Sequence, residues 1–202
     1  QQIDNDGPMT IVALVPSAAV VVQWHNEIFD ITEKQARAAA LIAARKVSLQ
    51  PQLCHVASIA DDRGQIVTAT MDQQLLTDGL ADLNVRGIDP DIVSPSGWLV
   101  PSGNNGPKAI DFGFDQLLRT EQMIVPDEPD FRQYFIGSTD IENIDEDGVE
   151  KILANAETSA LLNLRSGGFA KKSNTLISAR QKKSLIWLVA ALIIASLAIS
   201  FV

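Results

Sequence analysis

The sequence is poor in cysteine and histidine: Cys54 is its one thiol, and His25 and His55 are its two imidazoles. A single cysteine cannot close an internal disulfide and excludes multi-cysteine metal sites, which fits a reducing cytosol. Two histidines leave little material for a metal centre. Acidic residues are missing from the entire C-terminal part. From Arg165 onward there are six basic residues and no acid, so residues 1–164 carry all 25 acids and only ten of the 16 basic residues, a net charge of −15 against −9 for the whole chain. An acidic head repels phosphates, which argues against nucleic-acid binding. Charge of either sign is absent from Leu185 to Val202 (LIWLVAALIIASLAISFV), where Ser196 and Ser200 are the only polar side chains.

That last absence defines the most informative stretch. As a helix it would rise about 27 Å, close to the hydrocarbon thickness of a bilayer. It is apolar all round, unlike the striped face of a helix packed on a soluble core. Arg180, Lys182 and Lys183 stand just before it, with Lys171 and Lys172 upstream. Cationic residues at the entry to a span favour the cytoplasmic side, and Trp187 suits the interface. The expectation is a single-pass anchor running from Leu185 through Trp187 to Phe201 and Val202. A basic neck over 165–184 would be drawn to an anionic leaflet, with an acidic cytoplasmic domain over 1–164.

Within that domain the pattern predicts mixed α/β structure. Thr10–Val15 and Ala19–Trp24 read as two strands of a hairpin turned at Pro16-Ser17-Ala18. Thr32 is a plausible N-cap for a helix over ITEKQARAAALIAARKV, whose small face would be Ala36, Ala39, Ala40, Ile42 and Ala43. Leu53–Ile59 and Gln65–Met71 are strands joined at Asp61-Asp62-Arg63-Gly64. Asp72 then caps a helix to Leu83, with Leu75, Leu76, Leu80 and Leu83 on one side and Gly87 closing it. Ile88–Pro101 contains a short strand, and Ser102–Lys108 is a turn. Ala109–Phe112, Gln116–Thr120 and Gln122–Val125 are further strands. Asp140–Gly148 reads as an acidic loop and Val149–Leu164 as a helix.

Patterns that hint at chemistry fail on their spacing. Asp111-Phe112-Gly113 lacks the glycine-rich and catalytic loops of a kinase. Gly103-Asn104-Asn105-Gly106 lacks the lysine and hydroxyl of a phosphate loop. Asp61 and Asp62 suit a turn. Cys54 and His55 are strand neighbours pointing to opposite faces, so they cannot form a nucleophile–base couple. Asp140, Glu142, Asp145, Glu146 and Asp147 have the composition of a calcium loop without its spacing, and read better as a docking patch for a basic partner. No catalytic, cofactor or metal-binding residue is assigned, and no enzyme activity is expected.

Several segments, taken in order, resemble the L component of the bacterial type II secretion system, the general secretion pathway protein L family. They are VALVP (Val12–Pro16), ITEKQARAAALIA, LCHVAS, GQIVTATMDQQLLTDGLADLNVRGIDPDIVSP, GWLVP, LLRT (Leu117–Thr120) and NLRSGGFAKKS (Asn163–Ser173), followed by a single span. The resemblance implies an actin-like, ribonuclease H-type cytoplasmic domain that holds the secretion ATPase, the E component, at the inner membrane. It also implies contact with the M and F components, self-association, and no ATP hydrolysis by this chain. Family members carry further strands before the VALVP-like segment and a small periplasmic domain beyond the span. They are also commonly acidic where this sequence has Ala44, Arg45 and Lys46. A membrane-tethered actin-like ATPase and the related pilus-assembly platform are the alternatives.

Overall fold

The computed structural model of the chain describes residues 10–25, 31–102, 106–137 and 139–171. Up to Ala170 they belong to one compact unit. The expected anchor residues Leu185, Trp187 and Phe201, with the flanking Arg180, Lys182 and Lys183, lie outside the described residues. Among the described residues no helix is long and apolar enough to cross a membrane.

Among the described residues nine strands form three sheets. The central one has the order β2 (Val20–His25), β4 (Ile66–Asp72), β3 (Cys54–Ala60), antiparallel throughout. Its register sorts the side chains cleanly. Val20, Met71 and His55 share one cross-strand row, and Val22, Ala69 and Ala57 the next, so both rows face one side. The opposite face carries Cys54 and Val56, which pack on Ala44 and Leu41 of α1 (Glu33–Lys46). Thr32 starts this helix as expected. Its hydroxyl accepts from Gln35 N, and the Gln35 side chain returns the bond to Thr32 N.

The small face of α1 is rotated from the expected stripe. Ala40 and Ala44 are buried, whereas Ile42 is 59% exposed. The helical period running from Arg37 through Ala40 and Leu41 to Ala44 is the one that meets the Cys54–Val56 column. α2 (Gln73–Val85) is capped by Asp72, which accepts from Leu75 N at 2.9 Å. It buries Leu76 and leaves Leu75 exposed. Gly87 follows with φ +77°, the left-handed residue that ends it.

The expected hairpin of the first two strands is not formed. β1 (Val12–Val15) pairs in parallel with β5 (Ile92–Pro95), while β2 pairs with β4. Pro16 and the single helical turn Ser17–Ala19, closed by Ala19 N to Pro16 O, carry the backbone from one sheet to the other instead of folding it back. Val15 faces Pro95 in the register, so both strands of the pair end at a proline-bearing step.

The third sheet has the order β8 (Ile124–Pro126), β7 (Gln116–Arg119), β6 (Lys108–Asp111), β9 (Glu142–Ile144) and is mixed, since β6 and β9 run parallel. Ile110 and Leu117 face α4 (Glu146–Ala154) through Ile144, Val149 and Ile152. Ala109 and Leu118 face the other way, toward Ile136. Before Ile136 the short α3 (Pro129–Phe131) runs into a wide turn over Arg132–Ile136, which leaves Tyr134 and Phe135 exposed.

Two further expectations change here. The acidic stretch 140–148 is not all loop: it contains β9 and the start of α4, because Asp145 accepts from Gly148 N and so caps a helix there. The helix expected to reach Leu164 stops at Ala154. Asn155 follows, its side chain bonding Lys151 O. Beyond it, the chain leaves the helix, and Leu162 and Leu164 are buried in the main core, with Leu161 buried as well. Leu164 N bonds Val93 O at 2.7 Å, and Asn163 Oδ1 accepts from Val93 N, so this segment lines the edge of β5. Arg165 bonds Asp89 and the Pro90 carbonyl, which fastens the segment again.

Candidate functional site

A cleft of about 700 Å³ opens where the turn between β3 and β4, the end of β7 and the end of α4 meet. Arg119, the last residue of β7, lies in it. Its strand alternates, so Arg119 shares the face of Leu117 on the side of α4, which lends Lys151 to the cleft wall, with Asn155 just beyond the helix. Its guanidinium carbon stands 4.7 Å from the ring centre of Trp24 and 5.7 Å from that of Trp98. The two indoles are 6.0 Å apart and tilted by 31°.

Trp24 is delivered by the core-facing row of β2. Trp98 is set by the helical turn Ser96–Trp98 after β5, and its Nε1 donates to Ala160 O at 2.8 Å. That turn requires glycine at 97, where a Cβ would collide with the Ile124 side chain. It is also pinned from below. The buried carboxylate of Asp115 accepts from Ser17 N and Ser17 Oγ, each at 2.8 Å, and from Ser96 Oγ. Asp115 therefore joins the ends of β1, β5 and the β6–β7 hairpin.

Arg119 is 4% exposed, and its Nε and Nη1 have no hydrogen-bond partner. Burial pushes its pKa down from the usual guanidinium range to about 10, with Asp61 and Asp62 pulling partly back. It stays a cation at neutral pH. Its cross-strand partner is Lys108, another cation, which turns to Glu142. Of the acids lining the cleft, Asp61, Glu121 and Glu157 have partners, and Asp62 stands exposed beside them. Asp61 Oδ1 accepts from Arg63 N and Gln65 N, Glu121 pairs with Arg63, and Glu157 accepts from Ser159 Oγ.

The five acids proposed from the sequence for docking all remain exposed, around β9 and the first turn of α4. They are not equivalent. Asp145 is the helix cap, Glu142 reaches Lys108 Nζ at 4.0 Å, and Glu146 and Asp147 occupy the first helical turn, while Asp140 precedes β9. The structure places the other sequence candidates in local turn and strand contacts. Asp111 accepts from Gly113 N and Gln116 Nε2 inside a hairpin whose Gly113 has φ +83°. Cys54 and His55 face opposite sides of β3: the thiol donates to Pro51 O, and the imidazole meets Leu164 O at 2.8 Å and the edge of Phe169. Among the described residues no cluster of three or more His, Cys, Asp or Glu could hold a metal ion.

No protein-family model matches the chain, and no curated protein matches it by sequence. Among solved structures it is similar to Cyto-EpsL, the cytoplasmic domain of EpsL, an inner membrane component of the type II secretion system of Vibrio cholerae. The likeness has a TM-score of 0.61 at 14% identity and covers 79% of each chain. The fold is that of this cytoplasmic domain. At such identity the EpsL likeness carries the architecture and not the role of any side chain.

Trp24, Trp98 and Arg119 do not stand out as a group in the sequence, although Trp98 sits in GWLVP and Arg119 in LLRT. One signal was available: Arg119 is a charged residue closing an otherwise inward-facing run in a short strand, where burial demands a compensating environment.

Proposed function

We propose that this chain is an inner-membrane assembly-platform component of a type II protein secretion system, with an actin-like cytoplasmic domain that recruits the secretion ATPase. The observation that carries the reading is the fold shared with Cyto-EpsL over 79% of both chains. It is supported by the ordered sequence segments and by the charge layout, an acidic domain followed by basic residues and an apolar terminal stretch. In this reading the domain faces the cytoplasm, Leu185–Val202 spans the inner membrane, and the protein self-associates beside the M and F components. It acts by binding and hydrolyses no ATP itself.

The docking surface proposed for the ATPase is the exposed acidic rim of β9 and α4, with Asp140, Glu146 and Asp147 as its free charges. Glu142 and Asp145 belong to the same rim but are tied into the fold. Charges of this kind steer a basic partner and set its orientation more than they add affinity. The test is co-purification with the secretion ATPase of the same cell. Removing Leu185–Val202 is expected to abolish membrane recruitment while leaving ATPase binding by the remaining domain; a folded domain that fails to bind the ATPase overturns the reading.

A further inference from the structure

The Arg119 cleft is distinct from the acidic rim, and what it could bind is independent of the platform reading. Three observations converge on it. The guanidinium is all but fully buried, and Nε and Nη1 lack acceptors. The two indoles beside it offer favourable cation–π contact but no acceptor for in-plane N–H groups. Buried donors without partners cost free energy, and a buried cation without a contacting counter-ion costs more.

Asp61 and Asp62 attract its charge, but among the described residues no acceptor bonds Nε or Nη1. Asp61, Glu121 and Glu157 are held by other donors, as described above. The opposite wall adds a second cation, Lys151, and Trp24 and Trp98 give the cleft an apolar lining. A planar oxygen pair in the guanidinium plane would pair Nη2 with one of these two donors, Nε or Nη1, which lie on different edges, and a short aliphatic stem would lie against the indoles. We propose that the cleft binds a carboxylate presented by a polypeptide, either an acidic side chain or a free C-terminal carboxylate, with Arg119 as the anchoring cation and Trp24 and Trp98 as its walls.

The whole protein, in detergent micelles, allows a direct test by nitrogen-15 NMR of the Arg119 Nε–H and the Trp24 and Trp98 Nε1–H resonances. Three small ligands separate the possibilities at constant ionic strength: N-acetyl-glutamate amide, N-acetyl-glutamine amide and N-acetyl-alanine. The proposal predicts saturable shifts with at least one of the two carboxylates. The neutral glutamine ligand should bind about tenfold more weakly or worse, the factor expected on losing one charge-assisted bond. Preference for the glutamate ligand identifies a side-chain carboxylate, and preference for N-acetyl-alanine a polypeptide terminus. Arg119→Gln should remove the response, and the comparison of ligands on the unaltered protein decides the matter even if that variant fails to fold. No saturable shift with either carboxylate, or equal binding of the glutamine ligand, overturns the proposal.

Discussion

His55 Nε2 donates to the carbonyl oxygen of Leu164 at 2.8 Å, joining β3 to a segment 109 residues further along the sequence. The imidazole is buried, and Phe169 stands edge-on to it at 4.9 Å between ring centres. This contact fastens the segment that leads toward the C-terminus directly to the central sheet. Burial lowers the pKa of His55 below 6.5; the Leu164 carbonyl opposes that shift and the charge of Arg45 adds to it.

A pH dependence follows with a definite sign. The unfolded protein takes up the proton more readily than the folded one, so stability is intact above pH 6.5 and is lost as pH falls from there toward the folded value. His55→Gln keeps a donor for Leu164 O but cannot titrate. Its melting temperature between about pH 8 and pH 5 should fall less steeply than that of the parent. Parallel curves for the two proteins would contradict this role of His55.

Leu164 is fully buried in the main core and also bonds Val93 O through its amide. Leu164→Ala should destabilise the domain by about 2 to 5 kcal/mol, the usual range for a truncated core leucine. Urea denaturation checks this. A loss below about 1 kcal/mol would mean that the segment is not part of the cooperative core.

Arg119 carries a stability cost at neutral pH, because burial lowers its folded pKa to about 10, below that of the unfolded chain. The penalty is complete below about pH 10 and is relieved as pH rises from there toward the usual guanidinium range. Arg119→Met keeps much of the side-chain volume against Trp24 and Trp98 without the buried charge. Thermal unfolding at neutral pH should show it equal to the parent or more stable by a few degrees. A large loss of stability would make Arg119 a structural residue and remove this reason for thinking it is kept for binding.

The acidic rim separates by role. Asp145→Ala should cost about 1 kcal/mol through loss of the α4 cap. Asp140→Lys combined with Glu146→Lys and Asp147→Lys leaves that cap in place and reverses the free charges. In the proposed function the triple variant loses ATPase association, with the larger change in the association rate. Surface plasmon resonance distinguishes the two effects, and an unchanged association rate in the triple variant removes the rim as the docking surface.

Much of the fold could be read from local signals. Thr32 and Asp72 cap helices where their side chains reach the free amides of the first turn, and three of the four strands of the third sheet, β6, β7 and β8, fall close to the runs read as strands. What could not be read was pairing. Val12–Val15 chooses Ile92–Pro95 over its nearest neighbour because Pro16 and the Ser17–Ala19 turn redirect the backbone, and that choice depends on contacts distant in sequence. The non-helical path of Leu161–Leu164 was hidden for the same reason, since a short apolar run suits a helix and other buried backbone alike. The Arg119 cleft was beyond sequence reasoning because Trp24, Trp98 and Arg119 come from three separate elements. Only their convergence makes the unpartnered guanidinium visible.

The central claim, a domain that recruits a secretion ATPase, is tested most directly by affinity purification of the tagged protein from membranes of its own cell, followed by mass spectrometry of the bound proteins. The expected result is recovery of the secretion ATPase in stoichiometric amounts with the unaltered protein, and its loss with the Asp140→Lys, Glu146→Lys, Asp147→Lys variant. Purification of a folded, membrane-associated protein without the ATPase would contradict it.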